Sequence, residues 1–314
     1  TVQKMWTKVD TQNDILSRVL ERVKLDSFVT CAFDVGGRSS IVFPTSDALR
    51  FKVSLRGERW LTVEGDETSY HLRAGDGFLI SGGRTFALAT HRADTKMALA
   101  EELIHTRNDA GVIVHAGGGD ILSIGAVFQF QGHFSQLILR ALPPVIHLST
   151  DLEQASILRW SLERFGAEFR GTNAGRSLMM GYLAPIILLQ TLRVHTSLPT
   201  SQQSWLMALS HPKLSKAIEA VHADCRCAWS VASLAALACM SRSGFALNFK
   251  LYVGITPLEY VVQWRMQIAC HLLEQRELSL AAIADHVGYR SESAFSAAFK
   301  KLLGIRPGQY VKRW

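Results

Sequence analysis

A chain of 314 residues, 48% of them hydrophobic, has enough apolar material for more than one core and points to two domains. Its richest apolar run, Leu178–Leu189, is interrupted by Gly181 and Pro185 and falls short of the ~18 residues of a membrane span, which argues against a membrane partner. The net charge of +7 is uneven: residues 211–314 hold 13 Lys/Arg against 7 Asp/Glu, residues 1–210 hold 21 against 20, so a basic module suited to polyanions follows a near-neutral one. Five cysteines and an N-terminus without a signal-peptide pattern point to reduced thiols and a cytoplasmic location.

Along the chain, Ile15, Val19 and Val23 predict an amphipathic helix. Period-two runs follow. Phe51-Lys52-Val53-Ser54-Leu55 alternates, Gly57 allows a turn into Trp60–Val63, and Gly65-Asp66, Gly75-Asp76-Gly77 and Gly82-Gly83 punctuate further strands. Gly111–His115 and Ile121–Phe130 add more, a pattern that reads as a small sandwich or barrel. Leu152, Ile157, Trp160 and Leu162, then Leu178, Leu183, Ile187 and Leu192, switch to helical spacing, and Pro199–Ser204 reads as a linker.

The last hundred residues contain a repeat. Gly254-Ile255-Thr256-Pro257 recurs as Gly304-Ile305-Arg306-Pro307, Tyr260-Val261 as Tyr310-Val311, and Phe249-Lys250 as Phe299-Lys300. Ser230–Ala235 parallels Ser279–Ala284. Each copy predicts helix, tight turn, helix. Ser279 and Ser291 are placed as N-caps around Gly288, and Phe295, Phe299 and Leu302 form a buried stripe. Ser241 with Phe245, Phe249 and Tyr252 does the same in the first copy. Between the copies, Thr256-Pro257-Leu258-Glu259 predicts a capping box opening a helix to about Gln275.

These motifs, with His211-Pro212, Trp229, Met240–Ser243, Arg265, Ala269, Leu272-Leu273 and Val287-Gly288-Tyr289, make residues 211–314 resemble the C-terminal domain of AraC/XylS regulators. The family often carries Arg where this chain has Leu247 and Ala297, and glycine where it has Cys239. Arg56–Leu61, Gly75-Asp76 and Leu139–Pro144 likewise resemble the cupin-like sensor domain of one AraC subgroup over residues 14–195. The implied fold is α+β: an N-terminal cupin-like barrel with a helical extension (1–195), a linker (196–210), and an all-α domain of two helix-turn-helix motifs on a linker helix (211–314).

On that reading, Arg242, Lys250, Arg290, Lys300 and Lys301 meet phosphates. Ser243, Ala246 and Asn248 in the first copy, and Glu292, Ser293 and Ser296 in the second, face bases, with Ser291, the cap of the second helix, also in the DNA-binding set. Trp60, Tyr70, Phe78, Phe128 and Phe130 are expected to line the barrel, with Arg84 as a candidate for an anionic effector, and Cys31 lies where some relatives place an oxidant-sensing thiol. His71, His91, His105, His115 and His133 form no His-x-His pair, so neither metal nor cofactor is expected. The resemblance implies a DNA-binding transcription activator that senses a small molecule or oxidant, contacts RNA polymerase and pairs as a homodimer. A metal-dependent cupin enzyme carrying a DNA module, and a DNA binder without effector, are the alternatives.

Overall fold

The computed structural model describes residues 14–22, 25–92, 97–130, 139, 142–149, 156–197 and 204–311. Val23, His133, Arg140, Ala141, Leu152 and the Pro199–Gln203 part of the expected linker lie outside them. The chain divides into two compact units. One holds the described residues of Asp26–Gln129 and Leu142–Pro199. The other holds those of Thr200–Trp314 together with helix α1 (Ile15–Arg22), so by contact α1 groups with the helical unit, whereas the sequence reading placed it in the barrel domain.

The first unit runs β1 (Leu25–Val29), β2 (Ala32–Val35), β3 (Ser40–Phe43), β4 (Leu49–Arg56), β5 (Arg59–Val63), β6 (Ser69–Leu72), β7 (Gly77–Ile80) and β8 (Phe86–Ala89). It continues with β9 (Met97–Leu99), β10 (Val112–His115), β11 (Ile121–Phe130), β12 (Val145–Leu148), α2 (Ser156–Arg170) and α3 (Arg176–Ser197). One sheet has the order β10-β2-β11-β4-β7-β12, with β1 on β11; the other has β6-β5-β8-β3-β9.

The register fixes which side chains share a face, because residues alternate across a strand. Lys52 stands opposite Gly125 of β11 and Phe78 of β7, and Arg50 opposite Ile80. Phe78 and Ile80 belong to the cluster between the sheets with Phe33, Phe43, Leu61 and Phe86. Phe43 stacks on Phe86 at 4.6 Å. Arg50, Lys52 and Ser54 therefore point into the barrel. Leu49, Phe51 and Val53 point the other way, where Phe51 meets Phe165 of α2 at 6.4 Å. The alternation in Phe51–Leu55 is real, but its polar side faces inward, because helices cover the apolar side. Gly125 makes this possible: a Cβ there would sit 2.0 Å from the Phe51 carbonyl oxygen and 2.9 Å from Cγ of Lys52.

Helix α3 is long and apolar enough to cross a membrane by length and composition, although no uninterrupted apolar run is. It packs on α2 and β12, burying Met180, Leu183, Ala184, Ile187 and Leu188 along one side.

The second unit contains α4 (Trp205–Ser210), α5 (Leu214–Ala223), α6 (Val231–Leu237), α7 (Arg242–Val253), α8 (Pro257–Gln275), α9 (Leu280–His286), α10 (Glu292–Leu303) and α11 (Pro307–Val311). Helix α8 is its axis. It carries the expected capping box: the Thr256 amide and hydroxyl both donate to Glu259 Oε2 at 2.8 Å, and the Glu259 amide donates to the Thr256 hydroxyl. Helix α1, with Ile15 and Val19 buried, packs on α8. His222 lies against Trp264, ring centroids 3.8 Å apart, and hydrogen-bonds the Tyr260 hydroxyl at 2.7 Å. Burial, and secondarily the Arg18 charge, brings its pKa down to about 3, so it is neutral in the core.

Candidate functional site

Two helix-turn-helix units flank α8. In the first, α6 leads through a turn into α7, capped by the Ser241 hydroxyl, which accepts from the Gly244 amide. In the second, α9 leads into α10, capped by Ser291, which accepts from the Ala294 amide at 3.2 Å. Phe245 and Phe249, and their repeats Phe295 and Phe299, are fully buried and dock each second helix. Tyr252 and Leu302 are only half-buried.

The opposite faces are open. Arg242, Ser243, Lys250, Arg290, Ser291, Glu292, Ser293, Lys300 and Lys301 are exposed, and Ala246, Asn248 and Ser296 are half-exposed. Asn248 donates its amide to the Gly244 carbonyl at 2.8 Å, and Ser291 is already engaged as a cap and with Ser293. Leu247, where the family pattern favours Arg, is 70% exposed.

Arg265 ties the two copies to α8. Its Nε donates to the Cys225 carbonyl and one Nη to the Cys227 carbonyl, each at 2.8 Å, and its guanidinium lies 5.6 Å from the Tyr289 ring centroid. Arg226, in the same loop, pairs with Asp285 of α9 at 3.0 Å.

The first turn departs from the second. Cys239 holds a φ of 51°, where the second copy has Gly288 at 78°. A left-handed conformation costs a residue with a Cβ ~1–2 kcal/mol, partly offset by glycine's larger chain entropy when unfolded. Cys239→Gly is expected to stabilise the helical unit by about 1 kcal/mol, seen as a higher urea midpoint at unchanged slope. A lower midpoint would show that the thiol packing outweighs the backbone strain.

In the barrel, a cavity of about 270 Å³ is lined by residues including Cys31, Phe33, Phe43, Arg50, Lys52 and Ile113, with exposed Thr45, Glu101 and Ile104 among its walls. Of the residues expected from sequence, Cys31 lines it. Tyr70 and Phe78 reach the core between the sheets but not this cavity. The expected inward placement of Trp60 and Phe128 is corrected. Trp60 lies on the outer side of β5, stacked on His71 at 4.6 Å with Arg92 over it, and Phe128 shares the outward face of Leu49. Phe130, two residues further on, follows that parity and is half-buried. Arg84 donates to the Glu64 carbonyl at 3.1 Å instead of entering the barrel.

Sequence reasoning missed Lys52, Arg50 and Arg59 as interior residues. Lys52 is 5% exposed and Arg59 2%. The Lys52 ammonium lies 4.5 Å from both the Phe33 and Phe43 ring centroids and has no hydrogen-bond or carboxylate partner among the described residues. Burial, then the charges of Arg59 and Arg50, lowers its pKa to about 7, while Cys31 works weakly the other way. The signal available in the sequence was a lysine and an arginine inside a run whose apolar partners could have been claimed by helices. Among the described residues, no group of three His, Cys, Asp or Glu is placed to hold a metal ion.

Comparison with known proteins covers both units. Residues 14–197 match the family described as Cupin, and residues 234–313 the family described as Helix-turn-helix domain. The chain is 35% identical over 282 residues to a putative AraC-like transcription regulator of Streptomyces antibioticus, covering 89% of this chain and 92% of that one. It is 31% identical over 286 residues to the HTH-type transcriptional regulator AlkR of Acinetobacter baylyi, covering 89% and 93%. Among solved structures it is similar to the DNA-binding domain of AdpA in complex with a target DNA, with 29% identity, a TM-score of 0.32, and coverage of 33% of this chain and 93% of that one.

Proposed function

Because this chain belongs to the AraC family of transcription regulators and carries an N-terminal cupin domain, we propose that it is an effector-responsive activator. The barrel (1–195) binds a small molecule or registers an oxidant through Cys31. That event, passed through residues 196–210, controls how residues 211–314 engage double-stranded DNA and RNA polymerase. The protein is a regulator rather than an enzyme, as its relatives are. It acts on DNA in the cytoplasm.

The pair of capped, outward-facing helices held on α8 supports the DNA reading most directly. Nineteen residues at ~1.5 Å each make α8 about 28 Å long. That is close to one turn of B-DNA, ~34 Å, and a rod of this length can present α7 and α10 to successive major grooves. In this reading Ser243, Ala246 and Asn248, then Glu292, Ser293 and Ser296, face base edges. Arg242, Lys250, Arg290, Lys300 and Lys301 hold phosphates, and Ser291 fixes the start of α10. Footprinting on the DNA beside the protein's own gene, at several salt concentrations and with candidate effectors found by thermal shift, tests it. Protection of two major-groove faces about one turn apart supports the reading. Effector hits that never alter the footprint or transcription would overturn the sensing half.

Lys250→Ala and Lys300→Ala are each expected to weaken binding to all sequences and to lower the slope of log K against log salt by about 0.9. An unchanged slope would remove that residue from the phosphate contacts.

The proposed homodimer rests on the helical extension. Helices α2 and α3 leave Trp160, Leu178 and Tyr182 58%, 61% and 61% exposed, an unusual amount of apolar side chain for a solvated surface. Sedimentation should give a dimer for the wild type at micromolar concentration and a monomer for Trp160→Glu/Tyr182→Glu. Equal masses for the two would refute pairing through this face.

A further inference from the structure

The barrel interior holds three buried cations, while the buried Asp76 carboxylate lies against His147 at 3.7 Å. Arg50, Lys52 and Arg59 all point between the sheets, each at most 9% exposed, and none meets a carboxylate among the described residues. Arg50 donates to the Pro44 and Arg84 carbonyls and lies 4.6 Å over Phe86, which leaves its Nε unpaired. Arg59 lies 5.9 Å from Phe78, and its Nε and one Nη have no hydrogen-bond partner among the described residues. The Ser54 hydroxyl, on the same inward face of β4, is also unpaired. Buried charges and donors are ordinarily paired, because desolvation without compensation is costly. Of the three cations, Arg50 lines the largely apolar cavity that Lys52 reaches, Lys52 being buried and without a hydrogen bond among the described residues, while Arg59 lines a smaller pocket that shares Phe33 and Phe43 with it.

We propose that this cavity binds a small organic carboxylate, with its apolar body against Phe33, Phe43 and Ile113 and its carboxylate on the Lys52 ammonium. The proposal rests on the effector reading and names the chemical class of the effector. The volume of about 270 Å³ falls below the ~300–1,000 Å³ of sites for drug-sized ligands, which sets the scale. A monoanion with a compact apolar body suits one ammonium between two aromatic rings in walls that are mostly apolar. Arg50 and Arg59 add positive potential without needing to touch the ligand. Gly125, facing Lys52 across the β4–β11 ladder, keeps the lysine stem free of the opposing strand.

The carboxylate also restores charge to Lys52, so its binding takes up a proton at neutral to mildly alkaline pH. The titratable and charged groups facing or sharing this space among the described residues are Arg50 on β4, Arg59 on β5, Cys31 before β2, Tyr70 on β6, His147 on β12 with Asp76 against it, and Glu101 in the cavity wall.

The test is calorimetric titration of the full chain with hexanoate, benzoate, 1-hexanol and hexylamine. The wild type should bind both carboxylates, hexanol more weakly and hexylamine not at all. Hexanoate binding should weaken at least ~10-fold from pH 7.5 to pH 9.5 and show proton uptake in buffers of different ionisation enthalpy. Lys52→Met, which keeps an unbranched apolar stem and removes the ammonium, should lose hexanoate at least ~30-fold and keep hexanol. Carboxylate binding that is unchanged in Lys52→Met, or independent of pH in the wild type, would overturn the proposal. Hexanol binding as tightly as hexanoate would overturn the anion class while leaving the cavity as the effector site. Silence of all four probes would also overturn it, and the broader effector reading would then stand or fall on the thermal-shift and footprint experiments.

Discussion

Gly288→Ala is expected to destabilise the helical unit by about 3–4 kcal/mol and to abolish specific DNA binding. Two costs combine. A φ of 78° is a conformation that an alanine adopts only at ~1–2 kcal/mol. The added Cβ would also stand 2.7 Å from the Arg226 carbonyl oxygen, 2.9 Å from Arg226 Cα and 2.8 Å from a guanidinium nitrogen of Arg265. Two of these neighbours are backbone and cannot swing aside. Moving the third strains the bonds from Arg265 to the Cys225 and Cys227 carbonyls, and hydrogen bonds to charged groups contribute ~1.5–3 kcal/mol each. Gly308→Ala is the control, since a Cβ there meets nothing within 4 Å. Urea unfolding of the full chain, followed by helical ellipticity, with a binding assay in parallel, reads the difference. Equal midpoints for Gly288→Ala and Gly308→Ala would show that the loop at Arg226 yields freely and that Arg265 is no bracket.

The second large effect has the opposite sign. Lys52→Met is expected to stabilise the barrel by ~1–4 kcal/mol at neutral pH, the range found when buried charges give way to apolar side chains of similar volume. Its pH dependence identifies the cause. Lys52 has its folded pKa lowered from 10.5 to about 7. Above pH 10.5 the amine is neutral in both states and costs nothing as a charge. Between pH 10.5 and 7 the unfolded chain holds a proton that the folded barrel refuses, so stability falls as pH falls, by up to ~1.4 kcal/mol per pH unit. Below pH 7 both states are protonated and the whole penalty, about 5 kcal/mol at its upper bound, stands. The stability gap between Lys52→Met and wild type should therefore shrink by about 3 kcal/mol at most from pH 7 to pH 9.5. Comparing two proteins that differ at one residue cancels the titration of every other group. A gap that stays constant with pH would mean that Lys52 is solvated in the folded state.

Much of the helical unit could be read from sequence because its determinants are local. Ser241, Ser279, Ser291 and the Thr256/Glu259 box each satisfy amides within three residues, so spacing alone reveals them. Phe245, Phe249, Phe295 and Phe299 follow for the same reason, since an i, i+4 pair on a helix shares a face whatever lies opposite. The bracketing role of Arg265 was not legible, because its carbonyl partners are 38 to 40 residues away. The barrel interior was harder still. A strand's two faces are equally periodic, and which one looks inward depends on whether helices cover the other. Phe51 was free to face outward only because Phe165 of α2, far along the chain, is there to meet it. That same inversion turned Lys52 and Arg50 inward and moved Phe128 out. Trp60 failed for a simpler reason: a large aromatic on a strand is as well placed on an outer surface beside His71 and Arg92 as in a core.

The bracket formed by Arg265, with the Arg226–Asp285 pair beside it, has a kinetic consequence. Because it joins the loop before α6 and the turn after α9 to one rod, it restrains the two helices proposed to read DNA to move together. A protein with two loosely tethered readers leaves its site in stages, one half lifting while the other holds, and can recapture the first half before escape. A stiff pair has little room for such stages: when thermal motion frees one half, the rod levers against the other. Residence on the operator is then set by one concerted step, and a base change in either half-site should shorten the lifetime of the whole complex.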